Sequence, residues 1–252
     1  MDRIFYQAAS AMMLQQRKLE TVSNNVANIK TAGYKPETVV TTSFTDVLAA
    51  RMDEDGIYYD STVIGNNAPL SIVDEVMQYF SQGDINETTR PFDFAISGDG
   101  YFNINDEEGN TYYTRNGEFM LDEEGYLAFY GYGRVQGMNG DIYLGTSEFT
   151  VDERGTVYDV EGNEIDALRI SWCDDINGMQ HNENGMFTYT GDGEMYDFQT
   201  TILQGALEGS TVDLSTEMTR MMTIQSRFTA MSSVFKTINQ INTSAASEIG
   251  KI

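Results

Sequence analysis

The chain has 252 residues, enough to bury a sizeable core in one large domain or two small ones. It carries 39 Asp and Glu against 15 Lys and Arg, a formal charge of −24. That balance excludes routine binding to a nucleic-acid backbone, which needs a basic face, and argues against docking on anionic lipid.

Near the start, Phe5, Met12, Leu19 and Val26 recur seven apart. Ala8, Val22 and Ile29 fill a companion row, with Gln15 as its polar exception. This spacing predicts a helix from about Ile4 to Ile29. Asn24, Asn25 and Asn28 are poor helix formers, so the helix should fray there. Gly33 is a stop signal, and Pro36 opposes continuation. Thr38 to Thr42 then reads as extended and β-branched. Phe44, Val47, Leu48 and Met52 fit a short helix capped by Ser43. Residues 53–70 read as loop, and Ser71 to Phe80 as extended again.

From Phe92 to about Tyr196 the signals are β, with turn residues returning about every ten positions, as antiparallel hairpins require. Four turns begin with Asp and have Gly fourth: Asp106–Gly109, Asp122–Gly125, Asp152–Gly155 and Asp159–Gly162. This suits a type I turn closed by a left-handed Gly, with the Asp side chain accepting from backbone N–H groups. Calcium binding is the alternative, although the spacing lacks the Asp-x-Asp-x-Asp-Gly pattern with its distal Glu. Ser97-Gly98-Asp99-Gly100 resembles a Gly-rich phosphate loop but has Asp within it, so a tight hairpin is expected.

The last forty residues form the most regular stretch. Met221, Phe228 and Phe235 make one seven-residue row, continued by Asn242 and Ile249. Ile224, Met231, Ile238 and Ala245 make the second, three positions on. Together they form an a/d-like apolar seam on one helix face, with Asp213 as N-cap and Glu217 complementing the helix dipole. The two ends admit two readings: an ordinary two-helix core element, or a coiled-coil seam whose partners include other copies of the chain.

Charge follows this division. Residues 1–35 hold Arg3, Arg17, Lys18, Lys30 and Lys35 against Asp2 and Glu20, a net of +3. Residues 211–252 hold Arg220, Arg227, Lys236 and Lys251 against Asp213, Glu217 and Glu248, a net of +1. The middle therefore carries −28, and the ends together +4, so the middle should face water, while the nearly neutral ends can pack together.

Cys173 is the sole cysteine, and His181 the sole histidine. No spacing suggests a metal site, and no cofactor is implied. No Gly-x-Ser-x-Gly, Walker or His-Glu-x-x-His motif occurs, and abundant carboxylates alone do not identify a glycosidase, so no enzyme is expected. Neither a membrane-spanning segment nor a signal-peptide shape is seen.

Four stretches resemble one family. Ser23-Asn24-Asn25-Val26-Ala27-Asn28-Ile29-Lys30-Thr31-Ala32-Gly33-Tyr34-Lys35 is similar to the Asn-Asn-Leu-Ala-Asn-x-x-Thr-x-Gly-[Phe/Tyr]-Lys signature of bacterial flagellar rod and hook proteins. Ser81–Ile85, Pro91–Phe102 with Tyr113–Phe119, and Gln204–Asp213 followed by Glu217-Met218 resemble later blocks in the same order. Thr211 stands where Asn is common, and Gln225-Ser226-Arg227-Phe228 departs from the usual Gln-Arg-Ala-[Phe/Tyr]. The length resembles a rod protein, since hook proteins carry an extra outer domain.

The resemblance implies an α+β fold: long terminal helices packed as a coiled-coil-like pair around a central all-β domain. The implied division is 1–35 and 201–252 as inner-tube parts, 36–90 as linker and 91–200 as outer domain. It implies a structural rod subunit, exported without a cleaved signal through the flagellar export apparatus, in the basal body outside the cytoplasmic membrane. Its partners would be copies of itself, other rod proteins and hook or hook-junction proteins, with no nucleic acid and no membrane insertion. The expected assembly interface comprises Phe5, Met12, Leu19, Val22, Val26 and Ile29 with Met221, Ile224, Phe228, Met231, Phe235 and Ile238. The family motif falls on Asn24, Asn25, Ala27, Asn28, Thr31, Gly33, Tyr34 and Lys35. A competing expectation is a soluble acidic adhesin or carbohydrate-binding module, using Tyr58, Tyr59, Tyr112 and Tyr113 as sugar platforms.

Overall fold

Helical apolar spacing at both ends, and a middle interrupted by glycine turns, produce two long helices and an antiparallel β-rich centre. The structure, a computed structural model, describes residues 2–43, 71–78, 80–106, 108–182, 186–191 and 193–249. It divides into a helical unit of Met1–Ala27, Pro36–Tyr79 and Asp213–Ile252, and a β unit of Asn28–Lys35 and Phe80–Val212.

In the helical unit, α1 spans Asp2–Ala27 and α2 spans Leu214–Ile249. Asp213 caps α2: its carboxylate accepts from the Ser215 N–H at 3.0 Å and the Thr216 hydroxyl at 2.6 Å. α1 packs against α2 and against the antiparallel pair β1 (Glu37–Ser43) and β2 (Ser71–Gln78). Among the described residues, the buried apolar side chains of this unit are Leu14, Val22, Val39 and Ile224. The expected helix at Phe44–Met52 lies outside the described residues. α1 ends at Ala27, two residues before the predicted limit. Asn28 and Thr31 instead make a local turn, with Thr31 N–H donating to the Asn28 carbonyl at 3.1 Å and Thr31 Oγ1 to Asn28 Oδ1 at 3.1 Å. Ile29 therefore leaves the helical stripe and belongs to the β unit.

The β unit begins with β3 (Ile85–Glu87), β4 (Phe94–Ser97), β5 (Tyr101–Asn105) and β6 (Thr111–Thr114). β7 (Phe119–Leu121), β8 (Leu127–Phe129) and β9 (Gly133–Val135) follow as a meander. β10 (Thr150–Val151), β11 (Thr156–Tyr158) and β12 (Glu164–Ala167) make a separate small sheet. β13 (Ile170–Trp172), β14 (Met179–His181), β15 (Phe187–Tyr189) and β16 (Tyr196–Asp197) complete the largest sheet. Its order is β14-β15-β6-β5-β9-β8-β7, with β13 also on β5 and β16 on β13. β17 (Thr201–Gln204) pairs with β4, and β18 (Ala206–Glu208) with β3.

The main core gathers Phe94, Ile96, Phe102, Ile104, Phe119 and Leu127 with Phe149 and further apolar residues. A second cluster joins Tyr101, Cys173, Met179 and Phe187, with Trp172 stacked on Tyr101 at 5.8 Å between centroids. The four Asp-to-Gly turns form as the spacing predicts. Each Gly N–H donates to the carbonyl of its Asp, and the glycines have φ between +83 and +92. Each Asp Oδ1 also accepts backbone N–H groups two and four residues on. Ser97–Gly100 does not close a hairpin. β4 pairs with β17, whereas β5 pairs with β6, β9 and β13, so this segment carries the chain between sheets. Both strands must be buried, and two sheets covering one core achieve this where a two-stranded hairpin cannot.

Candidate functional site

Four distant stretches of the β unit converge on one carboxylate. Glu208, at the end of β18, is 1% exposed. Its Oε1 accepts from the Lys35 ammonium and from the Gly83 N–H at 2.8 Å, and its Oε2 from Arg115 Nη1 at 3.3 Å. Its carbonyl accepts from the Gly33 N–H at 2.8 Å, and the Thr211 N–H donates to the Tyr34 carbonyl at 3.2 Å. Lys35 also donates to the Ser81 carbonyl. The Arg115 guanidinium lies 5.3 Å from the Tyr101 ring centroid. Burial pushes the Lys35 pKa below its ordinary value, and the Glu208 hydrogen bond and charge only partly oppose this. Buried charges need full pairing, and one carboxylate shared by two cations and an amide supplies it.

Gly33 makes this approach possible. Its φ is +68, and a Cβ there would stand 2.4 Å from the Arg115 carbonyl carbon and 2.7 Å from the Asn116 nitrogen.

A second polar anchor lies in the helical unit. Asn25, fully buried, donates from Nδ2 to the Glu37 carbonyl at 2.9 Å and accepts the Glu37 N–H on Oδ1 at 3.0 Å. Its amide imitates a strand partner for the start of β1. Nδ2 also lies 3.3 Å from Oε2 of Glu217, whose other oxygen accepts from Arg220 at 2.7 Å. Glu217 therefore joins α1 to α2, beyond sitting near a helix start.

The apolar faces are distributed as follows. On α2, Ile224 is buried, and Met221, Phe228, Met231, Phe235 and Ile238 are half-buried. Their intervening neighbours are exposed, apart from the half-buried Ser232. Exposed apolar residues also flank this row: Met218, Met222 at 64%, Val234 and Ile241 at 55%. On α1 the buried face is centred on Leu14, Gln15, Thr21, Val22 and Asn25, while Met12, Leu19 and Val26 are half-buried beside it. α1 contacts both α2 and β1, so its covered face turns past the predicted rows to include Leu14 and Thr21. Phe5 lies on α1.

Within the motif, Asn24 and Ala27 are exposed, Asn28 and Thr31 are half-buried, and Tyr34 is buried. Tyr112 and Tyr113 pack against the two hydrophobic clusters rather than forming an exposed platform. Tyr58 and Tyr59 lie outside the described residues. No helix among the described residues is long and apolar enough to cross a membrane.

Sequence spacing does not single out Glu208 or Arg115, and it gives Glu217 only a place near a helix start. The available signal was their position: each stands inside a block of the resemblance, and Arg115 is one of only 15 basic residues in the chain.

A family model described as "Flagella basal body rod protein" matches residues 5–35, which end at Lys35. A model for the flagellar hook protein FlgE/F/G D1 domain matches 95–158, and one for the flagellar basal body rod FlgEFG protein C-terminal matches 203–248. The flagellar basal-body rod protein FlgG of Bacillus subtilis is 31% identical, over 96% of this chain and 97% of its own. FlgG of Agrobacterium fabrum is 28% identical over 93% and 94%, and the rod protein FlgF of Caulobacter vibrioides is 27% identical over the full length of both.

Proposed function

Because the chain belongs to the flagellar basal-body rod protein family, we propose that it is a structural subunit of the bacterial flagellar rod whose activity is assembly. The terminal helices pair in coiled-coil fashion and join neighbouring copies into a tubular shaft that passes motor torque towards the hook. In this reading residues 1–35 and 201–252 contribute to the inner tube, and the acidic β region of 91–200 faces outward. The partners are further copies, other rod proteins, hook components and the export apparatus, and the location is the basal body outside the cytoplasmic membrane.

The observation that carries this reading is the surface of α2. A half-buried seam at Met221, Phe228, Met231, Phe235 and Ile238 is flanked on both sides by the exposed Met218, Met222, Val234 and Ile241. So much apolar surface along one helix marks an interaction site. Each large side chain covered by a neighbour contributes about 1.5–3 kcal/mol before ordering costs. Methionines suit contacts with non-equivalent neighbours, because their side chains adapt.

The test is Phe228→Asp in a strain lacking the wild-type chain. The variant should keep wild-type Trp172 fluorescence, since the only tryptophan lies in the β unit, yet leave basal bodies stalled short of the hook. Normal incorporation would overturn the reading.

A further inference from the structure

The helical unit contains a cavity of about 280 Å³ between α1, β1 and α2. Its walls include the buried Val22, Val39 and Ile224, and its charged lining is Lys18, Arg220 and Arg227 against the single carboxylate of Glu37. Arg220 is already paired with Glu217. Lys18 and Arg227 have no ion-pair partner among the described residues, in a chain where carboxylates outnumber cations by 39 to 15. Four threonines, Thr21, Thr38, Thr219 and Thr223, also line it. Thr21, Thr219 and Thr223 each donate the hydroxyl proton to the carbonyl four residues earlier, so the side-chain donors left for an incoming group are the two cations and the Thr38 hydroxyl.

We propose that this cavity receives an acidic side chain of a second copy of this chain, its carboxylate meeting Lys18 and Arg227 and its aliphatic stem lying on Val22, Val39 and Ile224. Charge complementarity selects the occupant. The helical ends are net positive, whereas the remaining residues carry −28, so each copy brings the carboxylates that another copy's cavity lacks. Apolar walls around a cation pair favour a carboxylate on a short hydrocarbon stem over a fully hydrated small anion. The apolar seam of α2 supplies contact area, and this cavity supplies register and partner choice. The proposal rests on the assembly reading above.

The test is sedimentation of the purified full chain at low and high salt. Wild type should self-associate, and do so less readily as salt rises. Lys18→Glu with Arg227→Glu should raise the concentration for half-association about tenfold, from the loss of two partly exposed pairs, and flatten the salt dependence. Lys18→Arg with Arg227→Lys should restore wild-type behaviour. Helical circular dichroism should match wild type in both variants. A charge-reversed variant that associates at the wild-type concentration, with the wild-type salt dependence, overturns this proposal while leaving the assembly reading intact. A wild-type chain that stays monomeric throughout overturns both. Inorganic phosphate that stabilises wild type but not the charge-reversed variant, with association of the two unchanged, makes this a small-anion site and also overturns it.

Discussion

Lys35 and Glu208 stand 173 positions apart and form an ion pair whose side chains are 2% and 0% exposed. Removing the carboxylate charge strands two buried cations, Lys35 and Arg115. Glu208→Gln should therefore lower the unfolding free energy of the β unit by about 3–5 kcal/mol. Urea unfolding followed by Trp172 fluorescence measures it. Lys35→Met alone should cost less, because Arg115 and the Gly83 amide still satisfy Glu208. The double variant should be more stable than the sum of the singles predicts, as neighbouring charges couple.

Gly33→Ala should destabilise the same unit. A left-handed backbone costs a non-glycine residue about 1–2 kcal/mol, and the added methyl would meet the Arg115 and Asn116 backbone, which has no flexible end to give way. The resulting shift of Arg115 loosens its contact with Glu208. A urea midpoint equal to wild type would show that this backbone approach is not required.

Asn25→Ala should act on the helical unit. It leaves the Glu37 N–H and C=O without their side-chain partner, at a cost of about 2 kcal/mol. Helical circular dichroism during unfolding reads this loss. Asn25→Asp should be at least as damaging, because it removes the donor and sets a second carboxylate beside Glu217.

Asp213 gives a pH signature. The Thr216 hydroxyl, then the Ser215 amide, hold its pKa below the ordinary aspartate value of 3.8. A carboxylate depressed in this way stabilises the fold above 3.8, and that contribution is lost as pH falls through the lowered value. Asp213→Ala should thus lower helix stability at neutral pH, with the difference from wild type shrinking in strong acid. Asp213→Asn should retain the cap without that pH dependence. Thermal melts of the three proteins at neutral and acid pH test it.

Much of the fold is legible because its signals are local. Apolar residues at spacings of three and four mark α2 whatever it packs against, and Asp-x-x-Gly closes a turn using only its own amides. The limits and pairings of individual elements are less legible. Asn28 and Thr31 bond each other and stop α1 before Ile29 joins the stripe. Ser97–Gly100 resembles a hairpin turn, but the strands on either side find other partners.

The sequence by itself determined the two terminal helices, the glycine turns, the acidic middle and, through ordered blocks of residues, the family. Tertiary structure alone decided that Lys35, Gly83 and Arg115 meet at Glu208, that Asn25 serves β1 as a strand partner, and which face of α1 is covered. The physical reason is range. Periodicity and turn chemistry act over a few residues, whereas the pairing of a buried charge depends on which strands and helices the whole chain brings side by side.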